Sequence, residues 1–121
     1  MKIFVAHSSD LPFKLDVYKA LRGSVLNSQH EIFLPQETGK QPPVPREFIR
    51  KYDFLLAEVS VASTGMGIEL GWCDMMHIPV LCIYKKGHTP TGAIKNVSKT
   101  CLEYKDYDHM VKQVSEYISQ L

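Results

Sequence analysis

The feature that most constrains the fold is the run FLLAEVS at residues 54–60. Its first four residues are all apolar, so they do not alternate with polar ones. A strand exposed on one side shows apolar and polar residues in turn, whereas this run offers apolar groups to both faces of a sheet. Strands buried on both faces occur mainly in parallel sheets that helices cover on each side. The run therefore predicts a central strand of an α/β sheet.

Further short apolar runs alternate with segments of helical periodicity along the rest of the chain. Besides the central run, strands are predicted at 2–6, 30–35, 79–86 and 99–104. Helices are predicted at 12–26, 45–52, 65–77 and 108–121, with a short helical piece near 93–97. This alternation predicts a three-layer, flavodoxin/Rossmann-like parallel sheet of about five strands, with right-handed crossovers and helices on both faces. Ligands of such sheets bind beyond the carboxyl ends of the strands.

The spacing of apolar residues also predicts which side of each helix faces the core. The first helix is expected to bury Phe13, Val17, Leu21 and Val25. The helix at 65–77 is expected to bury Ile68, Trp72 and either Met75 or Met76. The last helix is expected to bury Val111, Val114, Ile118 and Leu121. Between the second strand and the next helix, residues 36–45 contain three prolines and are predicted to form a loop.

Length and composition exclude several classes of protein. The 121 residues fit one domain, 1–121, and 14 basic against 13 acidic residues leave a formal charge of +1 with no basic stripe, so nucleic acid is not an expected partner. Cys73, Cys82 and Cys101 lie in apolar segments without a C-x-x-C pair, which favours reduced core thiols and a cytoplasmic location. No apolar run approaches membrane-spanning length, so no membrane association is expected. Neither a metal ion nor a cofactor is predicted.

The stretch STGMGIELGWC, residues 63–73, leaves the carboxyl end of the central strand and enters a helix. Gly65 and Gly67 allow the backbone to approach a bound group closely. Glu69 is expected in or near the first helical turn, where the helix dipole favours its ionised form. An ionised carboxylate beside a sugar-sized cleft is a candidate nucleophile. A glutamate that only complements the dipole fits the same position.

Residues 52–84 also carry a longer pattern, which continues into the apolar strand that follows. Its members are Asp53, Ala57, Glu58, Val59, Ser63, Gly65, Gly67, Glu69, Leu70 and Gly71. This pattern resembles the core signature of the nucleoside 2-deoxyribosyltransferase family, and most closely its 2'-deoxynucleoside 5'-phosphate N-hydrolase branch. It covers about a quarter of the chain.

The resemblance implies cleavage of the N-glycosidic bond of 2'-deoxynucleosides or their 5'-monophosphates. It implies a covalent deoxyribosyl-Glu69 intermediate, with water or a second nucleobase as acceptor. It also implies a homodimer, in which Thr91 reaches the phosphate bound by the neighbouring subunit. The substrate-binding residues that it implies are Ala6, His7, Ser8, Ser9, Ser63, Gly65, Gly67 and Thr91.

The sequence departs from the family at the second carboxylate, which would align near Pro45, where no acid is present. Glu47 is the nearest carboxylate. Candidates for proton donation to the leaving base are His7, Asp10 and Glu58. A histidine that caps a helix end is a common alternative for His7. A strand-end carboxylate bonded to backbone is a common alternative for Glu58.

Two other functions stay open at this stage. The first strand and helix, residues 4–22, also resemble the first box of TIR domains, some of which split NAD with a glutamate. The absent second acid favours instead a non-catalytic nucleotide-binding or signalling module.

Overall fold

The computed structural model describes residues 1–40 and 42–121, so Gln41 of the predicted 36–45 loop lies outside the described residues. All strand pairs are parallel and the sheet order is β2-β1-β3-β4-β5. The strands are β1 (Lys2–His7), β2 (Glu31–Phe33), β3 (Phe54–Glu58), β4 (Val80–Lys85) and β5 (Cys101–Tyr104). The helices are α1 (Lys14–Arg22), α2 (Val25–Gln29), α3 (Arg46–Ile49), α4 (Thr64–Met75) and α5 (Tyr107–Ser119), with a 3-10 helix at Gly92–Asn96. The predicted fold class is confirmed.

Helices cover both faces of the sheet, as the central run predicted. Phe54 and Leu56 of β3 join a core cluster that contains residues of α1 and α5. Leu55 and Ala57, which point to the other side, pack in a second cluster with residues of α3, α4 and the 3-10 helix. Every residue of β3 is buried, so this strand lies at the centre of a three-layer domain.

The predicted first helix is wrong in its second half, because the chain breaks into two helices after Arg22. Ser24 starts α2 with its side-chain oxygen, which accepts a hydrogen bond from the Leu26 N–H at 3.2 Å. This new start changes the helical register, so that Leu26 is buried and Val25 is 51% exposed. The Gly23-Ser24 pair is the sequence signal for this break. The prediction gave more weight to the apolar spacing, which runs on through Val25.

The predicted inner face of α4 is only partly right. Trp72 and Met76 are half-buried and pack against a core cluster, but they do not form the main buried stripe. The structure buries Met66, Leu70 and Cys73, whereas Ile68 is 49% and Met75 79% exposed. Apolar residues occur nearly all round this helix, so two stripes of helical spacing compete and the sequence does not rank them. Ile68 and Met75 therefore lie on an outward apolar stripe of α4, and one end of this stripe borders the cleft described below.

The prediction for α5 is confirmed except at its edges. Val114 and Ile118 are buried, and Met110 completes their stripe one turn earlier. Val111 is half-buried, and Leu121 is 60% exposed because the helix ends at Ser119. No helix among the described residues is long and apolar enough to cross a bilayer.

The strand order creates a crevice at one particular place. From β1 the chain first adds β2 on one side and then crosses to β3 on the other. The loops that follow β1 and β3 therefore diverge, and a gap opens between them at the carboxyl ends of these two strands. Open α/β sheets bind their ligands at such a switch point.

Candidate active site

A cleft of about 290 Å³ lies at this switch point. Its walls come from the end of β1, from the loop after β2, and from the start of α4. The described residues that line it are Phe4, Ala6, His7, Ser9, Pro35, Gln36, Pro42, Pro43, Val44, Ser63, Gly65, Met66, Ile68, Glu69 and Trp72. This mostly apolar lining with a few polar groups is typical of small-molecule sites.

The start of α4 is fixed by a side-chain cap. The Ser63 oxygen accepts a hydrogen bond from the Met66 N–H at 3.1 Å, which leaves the earlier N–H groups of the helix unpaired within it. A Cβ atom at Gly65 would meet no atom within 4 Å, so this glycine leaves open space at the cleft. The wall therefore presents backbone donors and room for a ligand.

Glu69 lies on the second turn of α4 and is half-buried. In the described part of the chain no hydrogen bond or ion pair reaches its carboxylate, and burial raises its pKa from 4.5 to about 7. The expectation that the helix dipole would favour the ionised form is therefore corrected. Because the carboxylate lies beyond the first turn, desolvation outweighs the dipole.

His7 lines the cleft but has both ring nitrogens engaged. Nδ1 donates to the Ser8 carbonyl at 2.7 Å, so Nε2 accepts from the Tyr18 hydroxyl at 2.5 Å. Burial lowers the pKa of His7, which favours this neutral form. A neutral imidazole with both nitrogens engaged has no proton ready for a leaving base, so its predicted acid role has no support in this geometry.

The other two acid/base candidates do not line the cleft. Glu58 is fully buried at the end of β3, where one oxygen accepts from the Ser60 N–H at 2.6 Å and the other from the Tyr104 hydroxyl. Asp10 is exposed and lies in a neighbouring depression with Lys14 and other residues. Neither residue is among those that line the cleft, so this geometry gives their predicted contact with a departing base no support.

The predicted substrate-binding residues fall into two groups. Ala6, His7, Ser9, Ser63 and Gly65 line the cleft together with Glu69.

The remaining three predicted binding residues lie outside it. Ser8 is buried, and its side chain accepts from the Asp10 N–H at 3.1 Å. Gly67 and Thr91 line a separate cavity of about 250 Å³ between α4 and the 3-10 helix. Ser63 lines both cavities, so the two lie on either side of the α4 start.

Among residues 1–40 and 42–121, no second acid takes the place of the one missing near Pro45 in the cleft. Glu47 is exposed and forms an ion pair with Arg46, with 3.5 Å between nitrogen and oxygen. Of the described residues that line the cleft, Glu69 alone carries a carboxylate. Within that part of the chain, no group of three or more His, Cys, Asp or Glu side chains is placed to share a metal ion.

Sequence reasoning missed the wall that follows β2. Gln36 and the segment 42–44 line the cleft there. The proline-rich composition marked this segment as a loop, and loops after the carboxyl ends of parallel strands border the ligand crevice. That rule alone would have found this wall of the site.

Comparison with known proteins supports the resemblance seen in the sequence. No protein-family model matches the chain. A "Putative 2'-deoxynucleoside 5'-phosphate N-hydrolase 1" of Methanosarcina barkeri is 34% identical over 74 residues, which cover 59% of this chain and 46% of that protein. A protein of the same name from Syntrophotalea carbinolica is 40% identical over 48 residues, 39% of this chain and 34% of that protein. The chain thus spans less than half the length of either curated relative.

Two solved structures match over nearly the whole chain. The CMP N-glycosidase BcmB of Clostridium botulinum has a TM-score of 0.71 and 16% identity, over 97% of this chain and 99% of that one. A conserved protein from Enterococcus faecalis V583 has a TM-score of 0.61 and 15% identity, over 97% and 98%. The chain therefore shares the fold of these two structures. It is similar in sequence to proteins named as 2'-deoxynucleoside 5'-phosphate N-hydrolases, which confirms the resemblance predicted above.

Proposed function

We propose that the protein cleaves the N-glycosidic bond of a nucleoside 5'-monophosphate, with Glu69 as nucleophile. The observation that carries this proposal is the state of Glu69. Its carboxylate lies in a cleft at the switch point of the sheet, and no hydrogen bond to a described residue engages it. A half-buried carboxylate without partners costs folding free energy, so its position calls for a functional reason.

The chemistry has two steps. The Glu69 carboxylate attacks C1' of the sugar, and the base departs with the electron pair of the C1'–N bond and takes a proton from water. A second water molecule then adds its oxygen to C1' and loses a proton, and the bond between C1' and the Glu69 oxygen breaks. This step frees the carboxylate and releases the sugar phosphate. The transition states resemble an oxocarbenium ion, whose positive charge favours the ionised form of Glu69 once substrate is bound.

The start of α4 is the proposed site for the sugar phosphate. The unpaired N–H groups of the first helical turn attract an anion, and Gly65 leaves room for it. Ser63 and Gly65 match the positions that hold sugar and phosphate in the family that the sequence resembles. Both curated relatives are named for 5'-phosphate substrates.

The names of the relatives differ at the 2' position of the sugar. The curated relatives are named for 2'-deoxynucleotides and the structural neighbour for CMP. We propose the deoxy form for this chain, because the relatives named for it are similar in sequence. A 2'-hydroxyl would crowd the approach of Glu69 to C1', which must reach about 3 Å, and would withdraw electrons from the developing cation.

The experiment is release of free base from dCMP, CMP, dGMP, GMP and NAD at equal concentration, followed by chromatography. We expect release from at least one deoxynucleotide and slower release from its ribose counterpart. Release of nicotinamide from NAD alone would contradict the proposal and favour the TIR-like alternative. Nucleotide binding in calorimetry without release of any base would contradict it in favour of a non-catalytic module.

We further propose a homodimer. Ile68 and Met75 expose an apolar stripe on the outer side of α4, and Trp72 continues it into the cleft. A second copy that covers this stripe would also close the mouth of the site. Thr91, which is exposed beside the α4 start, is proposed to reach the phosphate bound by the partner.

The proposed location is the cytoplasm. All three cysteines are free, and Cys73 and Cys82 are buried. Free thiols in apolar surroundings are typical of a reducing compartment.

A further inference from the structure

The proposed reaction so far assigns no protein group to the negative charge of the departing base. As the C1'–N bond breaks, negative charge develops on the departing base, and a hydrogen-bond donor near that charge speeds the step. No cationic side chain is among the described residues that line the cleft, and His7 is neutral with both nitrogens engaged. A donor that the protein holds in addition to water must therefore be another polar group of the lining.

Gln36 is a polar side chain of the cleft that neighbouring residues hold in place. Its backbone N–H donates to the Tyr18 hydroxyl at 3.0 Å, and its Oε1 accepts from the Lys14 ammonium at 2.6 Å. Lys14 also donates to the Ser9 carbonyl at 3.3 Å, so it links the loops after β1 and β2. These contacts tether the backbone and the amide oxygen of Gln36.

The lysine also decides which end of the amide is free. An ammonium group only donates, so the amide oxygen must face Lys14. Lys14 lines the neighbouring depression and not the cleft, whereas Gln36 lines both. Among the described residues no acceptor engages Nε2, and a cation on the oxygen of an amide strengthens its N–H groups as donors.

Gln36 and Glu69 also stand in a suitable relation. The loop after β2 lies on one side of β1, and the turn that leads to α4 lies on the other. A nucleotide between them would meet the nucleophile from one wall and the amide from the other. The side chain of Ser63 caps α4 on the same wall as Glu69, so it does not serve the opposite side.

We propose that Gln36 is a catalytic residue that donates its free amide N–H to the departing base, and that Lys14 is the positioning residue that holds it. The acceptor is the atom two bonds from the glycosidic nitrogen, O2 of a pyrimidine or N3 of a purine, because the electron pair of the broken bond delocalises onto it. This inference rests on the proposed function. It assigns to a neutral amide the stabilisation of the leaving base.

The test compares Gln36→Leu and Lys14→Met with Lys19→Met, an exposed lysine of the same helix, as the matched control. We expect Gln36→Leu to lower kcat about 100-fold on an ordinary base, Lys14→Met to lower it less, and Lys19→Met to leave it unchanged. Thermal unfolding and circular dichroism confirm that each variant is folded.

The decisive readout is the dependence on the leaving base. Each variant is assayed on dUMP and 5-fluoro-dUMP, or on dGMP and 7-methyl-dGMP if the wild type releases purines. The loss in Gln36→Leu should shrink at least severalfold on the activated member, because that base needs less stabilisation. An equal loss on both members, or no loss, would overturn the proposal.

A failure of the proposed function gives a different pattern. If the wild type releases no base from any nucleotide, the proposed reaction is wrong. Calorimetry with dCMP and dGMP then tests whether Gln36 contacts the base. Weaker binding by Gln36→Leu than by Lys19→Met would support the contact with the base, and equal binding would overturn it.

Discussion

Two glutamates eleven positions apart, Glu58 and Glu69, have opposite surroundings. Glu58 ends β3 with no exposed surface, and its oxygens accept hydrogen bonds from the Ser60 N–H and the Tyr104 hydroxyl. Burial, and then this hydrogen bond, raise the pKa of Tyr104, so the tyrosine stays a donor. Glu69 is less buried, yet no described residue engages its carboxylate, and burial raises its pKa to about 7.

The comparison separates a carboxylate that the fold uses from one that the fold leaves available. Glu58 ties the end of β3 to β5 and to the turn toward α4, so both of its carboxylate oxygens have hydrogen-bond partners within the protein. Glu69 receives no such compensation, and only a ligand with positive charge in its transition state would supply it. We therefore expect substitutions of Glu58 to change stability and those of Glu69 to change chemistry.

The largest effect is expected for Glu69→Gln, which should lower base release about 10³-fold or more with an unchanged fold, because the nucleophile is lost. Chromatography of released base and circular dichroism measure the two quantities. Asp74→Asn, an exposed acid on the same helix, is the control and should keep full activity. If Glu69→Gln still turns over, another group is the nucleophile.

Glu58→Ala should lower the free energy of unfolding by about 3 kcal/mol, because it leaves the Tyr104 hydroxyl and the Ser60 N–H without acceptors in the core. Urea denaturation measures the change, with the exposed Glu116→Ala expected within about 0.5 kcal/mol of the wild type. Glu58→Gln should release base at a rate within severalfold of the wild type. The comparison breaks if folded Glu58→Gln is as inactive as Glu69→Gln.

Glu69→Gln should also change how stability depends on pH. Because the pKa of Glu69 is raised from 4.5 to about 7, the folded state binds its proton more tightly than the unfolded state does. The wild type suffers no penalty below pH 4.5, an increasing one up to about pH 7, and the full penalty above that. The variant should therefore match the wild type near pH 4 and exceed it at pH 8, by at most about 3 kcal/mol.

Urea denaturation at both pH values measures this difference. Equal stabilities of the two proteins at pH 8 would mean that Glu69 ionises without cost, and the contrast with Glu58 would disappear.

The smallest effect concerns the open side of α4. Met75→Lys should leave the stability of the monomer within about 0.5 kcal/mol, because Met75 is 79% exposed, but should shift sedimentation from dimer to monomer. Leu15→Lys, which is 70% exposed on α1, is the control and should remain dimeric. A wild type that sediments as an active monomer at micromolar concentration would contradict the dimer.

The sequence predicted the fold and the position of Glu69 because both depend on local patterns. Apolar runs locate the strands, and the switch point follows from their order. The prediction that Glu69 is ionised is wrong, because its burial depends on a cleft whose other walls come from residues distant in sequence, such as Phe4 and Val44. The alternative for Glu58, a strand-end carboxylate bonded to backbone, is confirmed by the Ser60 N–H. Its second partner, Tyr104, lies 46 positions along the chain and could not be predicted from the local sequence.

The most direct test of the account is mass spectrometry of the enzyme quenched in acid during turnover of a deoxynucleotide. Formation of a glycosyl ester predicts a mass increase equal to one deoxyribosyl phosphate on the peptide that contains Glu69, and no increase in Glu69→Gln. A sensitive search that finds no modified peptide during the first turnovers, while base is released at full rate, would contradict the covalent role of Glu69.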